Sequence, residues 1–186
     1  EVFQSLKNSF LANGFDESRS YSLTREDLNL ENFDLPFYSA EQNGFPYQTV
    51  KIDNPLPDSH VLRNHLLGNL LSVTQYQLAH QLEQVKLFET GKIYYQSGNS
   101  GSDPQQIFSE PKHIAAVAVG RYWEHNFQKS LDTSIDFYWL KGVLESIFNH
   151  LKLPVPLVEK AVHPWFHPGR TAKFSGLDWI FGEIHP

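Results

Sequence analysis

The sequence predicts an α+β domain with a mostly antiparallel sheet. Two strong apolar repeats at helical spacing stand far apart, over Leu62–Leu82 and Asp136–Leu151. Runs rich in aromatic and β-branched residues fall between and after them without a regular strand–helix alternation. The last of these runs are joined by hairpin-length connections, whereas parallel crossovers need a dozen residues or more. A chain of 186 residues is long enough for one domain with a real core, and one domain over 1–186 is the expectation. Its 40% hydrophobic and 19% charged content is ordinary for a globular fold.

At the start, Val2, Phe3, Leu6, Phe10 and Leu11 form one helical stripe, and Gly14 sits where a helix C′ residue belongs. Phe15–Leu23 mixes polar and apolar residues as a short strand does. Thr24 is placed to cap a turn or two of helix reaching Glu31. Residues 32–46, with Pro36, Gly44 and Pro46, read as irregular. Tyr47–Asp53 alternates as a strand, and Asn54-Pro55-Leu56-Pro57 is expected to stop it.

The rest of the chain is organised around Lys51–Tyr95. Asp58 or Ser59 is the natural N-cap of one long helix, whose apolar face is Leu62, Leu66, Leu67, Leu70, Leu71, Leu78 and Leu82. Arg63 then lies in or near the first turn, where the helix dipole disfavours a cation by a few tenths of a kcal/mol. Gly68 costs that helix about 1 kcal/mol relative to alanine. It is either tolerated local weakness or the mark of another backbone in close approach. In the following strand, Val85, Leu87, Glu89, Gly91, Ile93 and Tyr95 share one face by period-two geometry. Glu89 is therefore a carboxylate on an apolar face, where a lone charge is very costly. It must meet backbone amides or a cation, and Arg63 is the nearest candidate in sequence. Two roles stand for it, a satisfied core carboxylate or a catalytic acid/base.

Residues 96–112 read as a loop and His113–Gly120 as a short buried-type strand. Arg121–Leu131 shows no clear period. Asp136–Leu151 is the second strong helix, with Phe137, Leu140, Val143, Leu144, Ile147, Phe148 and Leu151 on a broad apolar face. Lys141 and Glu145 form an exposed i,i+4 pair on it. Residues 155–160 follow as a strand. Thr171–Phe174 and Trp179–Ile184 are two more strands around the turn Ser175-Gly176-Leu177-Asp178.

Fifteen basic against 21 acidic residues give a net charge of −6, a poor balance for gripping a phosphate backbone. The absence of cysteine excludes disulfides, thiol nucleophiles and cysteine-bound zinc within the sequence. No apolar run is long enough to span a membrane, and no signal-peptide pattern is present. His163 and His167 are four apart, but Pro164 and Pro168 break the helix that would make this spacing a metal site. Arg170, after His167-Pro168-Gly169, is either an anion binder or a surface arginine beside a turn. The opening on Glu1 and the ending on Glu183-Ile184-His185-Pro186 read as cuts in a longer polypeptide.

Motif order adds what the individual residues do not. LKNSFLANGFDESRSYSL, NPLPDSHVLRNHLLGNLL, VKLFETGKIYY, RYWEHNF with IDFYWLKGVLESIF, FHPGRTAKF and FGEIHP follow one another as in the β chain of bacterial phenylalanyl-tRNA synthetase. The resemblance spans almost the whole sequence and points to the catalytic-like core module of that chain. It implies a class II aminoacyl-tRNA synthetase-like antiparallel sheet flanked by helices. It also implies a cytoplasmic assembly of two α and two β chains that uses ATP and Mg²⁺ to join phenylalanine to tRNA. The partners implied are the α chain, which holds the active site, and tRNA in the whole enzyme.

In the α chain's catalytic strand, a Gly-Arg-Val-Tyr-like run precedes an arginine that meets the ATP phosphate. Here Gly91-Lys92-Ile93-Tyr94 is followed by Tyr95 and, two on, by Ser97, neither of which can supply a bidentate cation. The late glycine-rich signature with a second ATP-binding arginine is missing as well. The resemblance thus implies a non-catalytic module with no cofactor or metal of its own. The family-motif residues expected to matter structurally are Gly14, Asn54, Pro55, Arg63, Glu89, Gly91, His167, Pro168, Gly169 and Arg170. The rival reading is an independent ligand-binding or hydrolytic domain with a pocket near Arg63, Glu89 and His167. Direct tRNA contact through Lys and Arg is a further reading, made secondary by the net charge. If the module packs on an α chain, Val2–Ala12 and the strands up to Asn54-Pro55 match the interface region, with an apolar patch expected near residues 2–23.

Overall fold

Helix α1 (Val2–Ala12) ends as its sequence demands. Gly14 takes φ +78° and donates to the Leu11 carbonyl at 3.0 Å, while Phe15 N–H reaches back to the Phe10 carbonyl at 3.1 Å. These are the two bonds of a Schellman ending, and the Phe10 and Phe15 rings close it edge to face at 5.4 Å. The computed structural model describes residues 2–29, 49–57, 59–96, 108–122, 134–162, 166–177 and 180–184. The expected irregular stretch 32–46, Tyr47, Asp58, His163 and most of Arg121–Leu131 lie outside them.

The chain divides into two compact units. One comprises Glu1–Phe15, Leu82–Lys86 and Ala118–Pro186, and the other Asp16–Gln81 and Leu87–Val117. In the first unit, helix α3 (Phe137–His150) is capped by Asp136, whose side chain accepts from Trp139 N at 2.7 Å. Strands β9 (Val158–Lys160), β10 (Phe166–Phe174) and β11 (Ile180–Ile184) form an antiparallel sheet with β10 in the centre. α3 packs on α1 and on β11. Its buried face, Val143, Leu144, Ile147 and Phe148, meets Phe174, whose ring lies 5.1 Å from those of Phe148 and Phe181. Lys141 and Glu145 pair at 2.6 Å, half-buried rather than exposed. β10 starts earlier than expected because the chain stays extended through Pro168-Gly169, where the register with β11 shifts.

The second unit departs further from expectation. Phe15–Leu23 supplies only the ends of strands, β1 (Asp16–Glu17) and β2 (Leu23–Thr24). Thr24 is not a helix cap. Its hydroxyl bonds Asn69 at 2.9 Å, and Arg25 leads instead into a single 3-10 turn, Glu26–Leu28. Strand β3 (Lys51–Leu56) runs through Asn54-Pro55 rather than stopping there. It tolerates proline because it is an edge strand whose register with β4 is irregular. Ser59 lies in that β4 (Ser59–Leu62), a strand between β2 and β3, and caps no helix.

The long helix is therefore the shorter α2 (Leu67–Ala79), and Arg63 precedes it instead of lying in its first turn. Leu62 and Leu82 fall outside the helix, and Leu78 is largely exposed. β5 (Val85–Lys92) is the central strand between β1, which runs parallel to it, and β8 (Lys112–Val119). Val85, Leu87, Glu89 and Ile93 are buried as period two requires, and Phe88 is buried on the other face as well. Of the expected loop 96–112, the described part includes β7 (Phe108–Ser109), paired antiparallel with β6 (Tyr95–Gln96). β8 is mostly half-buried, with Val117 its buried residue.

Candidate functional site

The chain turns sharply between β4 and α2, and the residues of that joint are polar yet buried: Arg63, Asn64 and His65. Arg63 is held from its backbone outward. Its N–H donates to the Ser22 carbonyl at 2.9 Å, and its own carbonyl accepts from Tyr94 N at 2.9 Å. The side chain then runs to β5, where Nη1 meets Glu89 Oε1 at 2.5 Å and Nε donates to the Lys92 carbonyl at 2.9 Å. Both charged groups are almost wholly excluded from water, with side-chain exposures of 5% and 2%.

Ser20 closes the cluster. Its backbone N–H donates to Glu89 Oε1 at 3.2 Å and its hydroxyl lies 2.8 Å from Oε2. The Ser20 hydroxyl oxygen also accepts from Arg63 Nη1 at 2.9 Å and from Asn69 Nδ2 at 3.1 Å. One hydroxyl thus donates once and accepts twice, its full capacity. Glu89 therefore meets both partners foreseen for it, a backbone amide and the Arg63 cation. Gly91 belongs to the same arrangement, since a Cβ there would overlap the Arg63 guanidinium. Gly68 marks a close approach and not a weakness, because a Cβ there would stand 2.5 Å from the Leu28 carbonyl oxygen.

A buried pair of this kind is internally satisfied, and breaking it by removing one partner costs about 3–5 kcal/mol. Chemically it offers no exposed acid, base or cation. The next cation along β5, Lys92, is exposed and pairs with Glu110 at 2.7 Å, which holds its ammonium above the usual lysine range. Among the described residues, no group of three or more His, Asp or Glu side chains is arranged to hold a metal ion.

The other motif residues lie elsewhere. Asn54 and Pro55 are exposed on β3. His167, Pro168, Gly169 and Arg170 belong to the first unit, and Arg63 and Glu89 to the second. His167 Nδ1 accepts from Gly169 N at 3.1 Å, and its carbonyl accepts from the Thr171 hydroxyl at 2.7 Å, which sets the local bend in β10. Arg170 is a surface arginine facing Glu183 at 2.5 Å. The other Glu183 oxygen accepts from Phe137 N at 3.2 Å, so this carboxylate ties the first turn of α3 to β11. Val2 and Leu11 on α1 are exposed apolar residues within the expected patch.

Ser20, Asn69 and His65 were not foreseen as parts of the site. Single polar residues in non-periodic sequence carry no signal of their own. His65 is buried, and desolvation pushes its imidazole down to about 4, with the Leu28 backbone beside it pulling the other way.

The fold is α+β with mostly antiparallel sheets, of a kind found in a tRNA synthetase. The structure is similar to a pyrrolysyl tRNA synthetase of Desulfitobacterium hafniense, with a TM-score of 0.56 at 11% identity over 86% of this chain and 49% of that one. More narrowly, residues 1–186 match the family described as the phenylalanyl tRNA synthetase beta chain CLM domain, and the chain belongs to that family. It is 30% identical over 177 residues to a phenylalanine–tRNA ligase beta subunit of Staphylococcus aureus, covering 93% of this chain and 20% of that protein. The beta subunit of strain USA300 is 29% identical over the same shares. The chain thus spans about a fifth of the length of these relatives.

Proposed function

We propose that this chain is a non-catalytic module of a phenylalanine–tRNA ligase β subunit, packing on the α catalytic chain and supporting assembly and tRNA positioning. The whole enzyme would join phenylalanine to tRNA using ATP and Mg²⁺, as a cytoplasmic assembly of two α and two β chains. The module itself takes neither cofactor. Family membership supports the β-subunit assignment.

One observation carries the non-catalytic part: Arg63, the buried cation of the cluster, is engaged through Nε and Nη1 by the Lys92 carbonyl, Ser20 and Glu89. Stabilising a transferring phosphate needs cations aimed at the substrate, and a guanidinium neutralised inside the protein cannot serve. In the matched run from Gly91 to Tyr95, Lys92 faces Glu110 and Tyr95 carries no charge. The scaffold role follows from a fold kept without its chemistry.

The test is co-expression of this chain with the α chain. A stable complex is the expected result, together with loss of aminoacylation when the module is deleted from the full β subunit. Phenylalanine-dependent pyrophosphate exchange by the purified chain alone would overturn the reading.

A further inference from the structure

The joint between β4 and α2 contains a titratable group with a defined mechanical role. A backbone N–H only donates, so the 3.1 Å bond from Gly68 N to His65 Nδ1 requires that Nδ1 carry no proton. The spacing from 65 to 68 is that of a side-chain N-cap, and Leu66, the residue before the helix, makes no side-chain cap bond. His65 thus supplies the cap of α2 with a neutral imidazole.

The same joint is clamped to the 3-10 turn. Asn29 Nδ2 donates to the Leu62 carbonyl at 2.6 Å, and Asn29 Oδ1 accepts from Asn64 N at 3.0 Å. Gly68 brings the first turn of α2 against the Leu28 carbonyl. We propose that His65 is a proton-sensitive latch: neutral, its Nδ1 caps α2 and keeps the strand–helix joint seated on the 3-10 turn, and protonation of Nδ1 opens that seat. Three effects act together on the protonated ring. Nδ1–H would oppose the Gly68 N–H, the cation would sit at the positive end of the helix dipole, and the ring is 8% exposed.

Among the described residues, the neighbouring charges do not relieve this. On the 3-10 turn, Glu26 and Asp27 are engaged by Lys51 and Arg25. Arg63, two residues before His65, is engaged by Glu89. His60 on β4 and Asp53 on β3 are exposed, and α2 contains no charged residue.

The test is amide exchange at Gly68 and Asn69 in the full 186-residue chain between pH 7 and pH 4.5, corrected for intrinsic rates. Protection is expected to fall roughly a hundredfold, as a buried imidazole near pKa 4 competes with an opened one near 6.5. His65→Asn keeps an acceptor of similar reach without a titration, and its protection is expected to stay flat over that range. Ring nitrogen NMR of the unaltered chain provides a reading that needs no variant. A neutral Nε2–H tautomer at pH 7, with Gly68 protection that falls on acidification in the unaltered chain and not in His65→Asn, supports the latch. An Nδ1–H tautomer at pH 7, unchanged protection down to pH 4.5, or an identical pH profile in His65→Asn overturns it.

Discussion

Replacing Glu89 by glutamine tests whether the Arg63 cluster supports the second unit. The substitution keeps the shape and one acceptor oxygen but removes the one charge that, among the described residues, is paired with a guanidinium at 5% exposure. An uncompensated buried cation of this kind costs about 3–5 kcal/mol. That is a large part of the roughly 5–15 kcal/mol that holds a typical domain together. The readout should be amide exchange of peptides covering 16–29 and 59–96, with urea unfolding followed by circular dichroism. Arg63→Met combined with Glu89→Gln removes both charges, and the pair is expected to recover all but about 1–2 kcal/mol of the loss, because an apolar replacement of a buried ion pair is often near neutral. A loss below about 1 kcal/mol for Glu89→Gln alone would refute the reasoning. So would a double variant as unstable as the two single changes added together.

Three further outcomes follow from individual positions. Gly68→Ala should destabilise by about 1–3 kcal/mol in urea melts, despite alanine's better helix propensity, because its Cβ meets the Leu28 carbonyl oxygen at 2.5 Å. Lys152 ends α3 at φ +57°, with its N–H donating to the Asn149 carbonyl at 3.1 Å, so Lys152→Gly should raise stability by about 1 kcal/mol in thermal or urea melts. His65 has a folded-state pKa of about 4 against 6.5 when unfolded, so its stabilising contribution is complete above pH 6.5. Between pH 6.5 and 4 the unfolded chain takes up the proton and the folded chain does not, so stability falls by on the order of 3 kcal/mol. Urea midpoints across that range check the sign, and a rise in stability on acidification would contradict it.

Much of this architecture was legible because its signals are local. The stripe of α1, the Gly14 ending and the Asp136-capped α3 are each specified within a few residues. Glu89 was legible for a different reason: period two put a carboxylate on an apolar face, and burial then demanded a partner. β4 was not legible, because Leu62 continues the leucine spacing of α2 and Ser59 resembles a cap. Pairing with β2 and β3 decides its conformation, and that pairing is non-local. Pro55 misled in the same way, since its cost in a strand depends on whether the strand is an edge, which the sequence does not state. The hub role of Ser20 comes from a residue 69 positions away and has no local signature.

The most direct test of the non-catalytic account is phenylalanine-dependent pyrophosphate exchange by the α chain assembled with a full-length β subunit carrying Arg63→Met and Glu89→Gln in this module. If the cluster only holds the fold, kcat should stay within about twofold of the unaltered assembly, equivalent to less than about 0.5 kcal/mol in the barrier. A fall of about a hundredfold or more in an intact complex would place these residues in the chemistry and contradict the account.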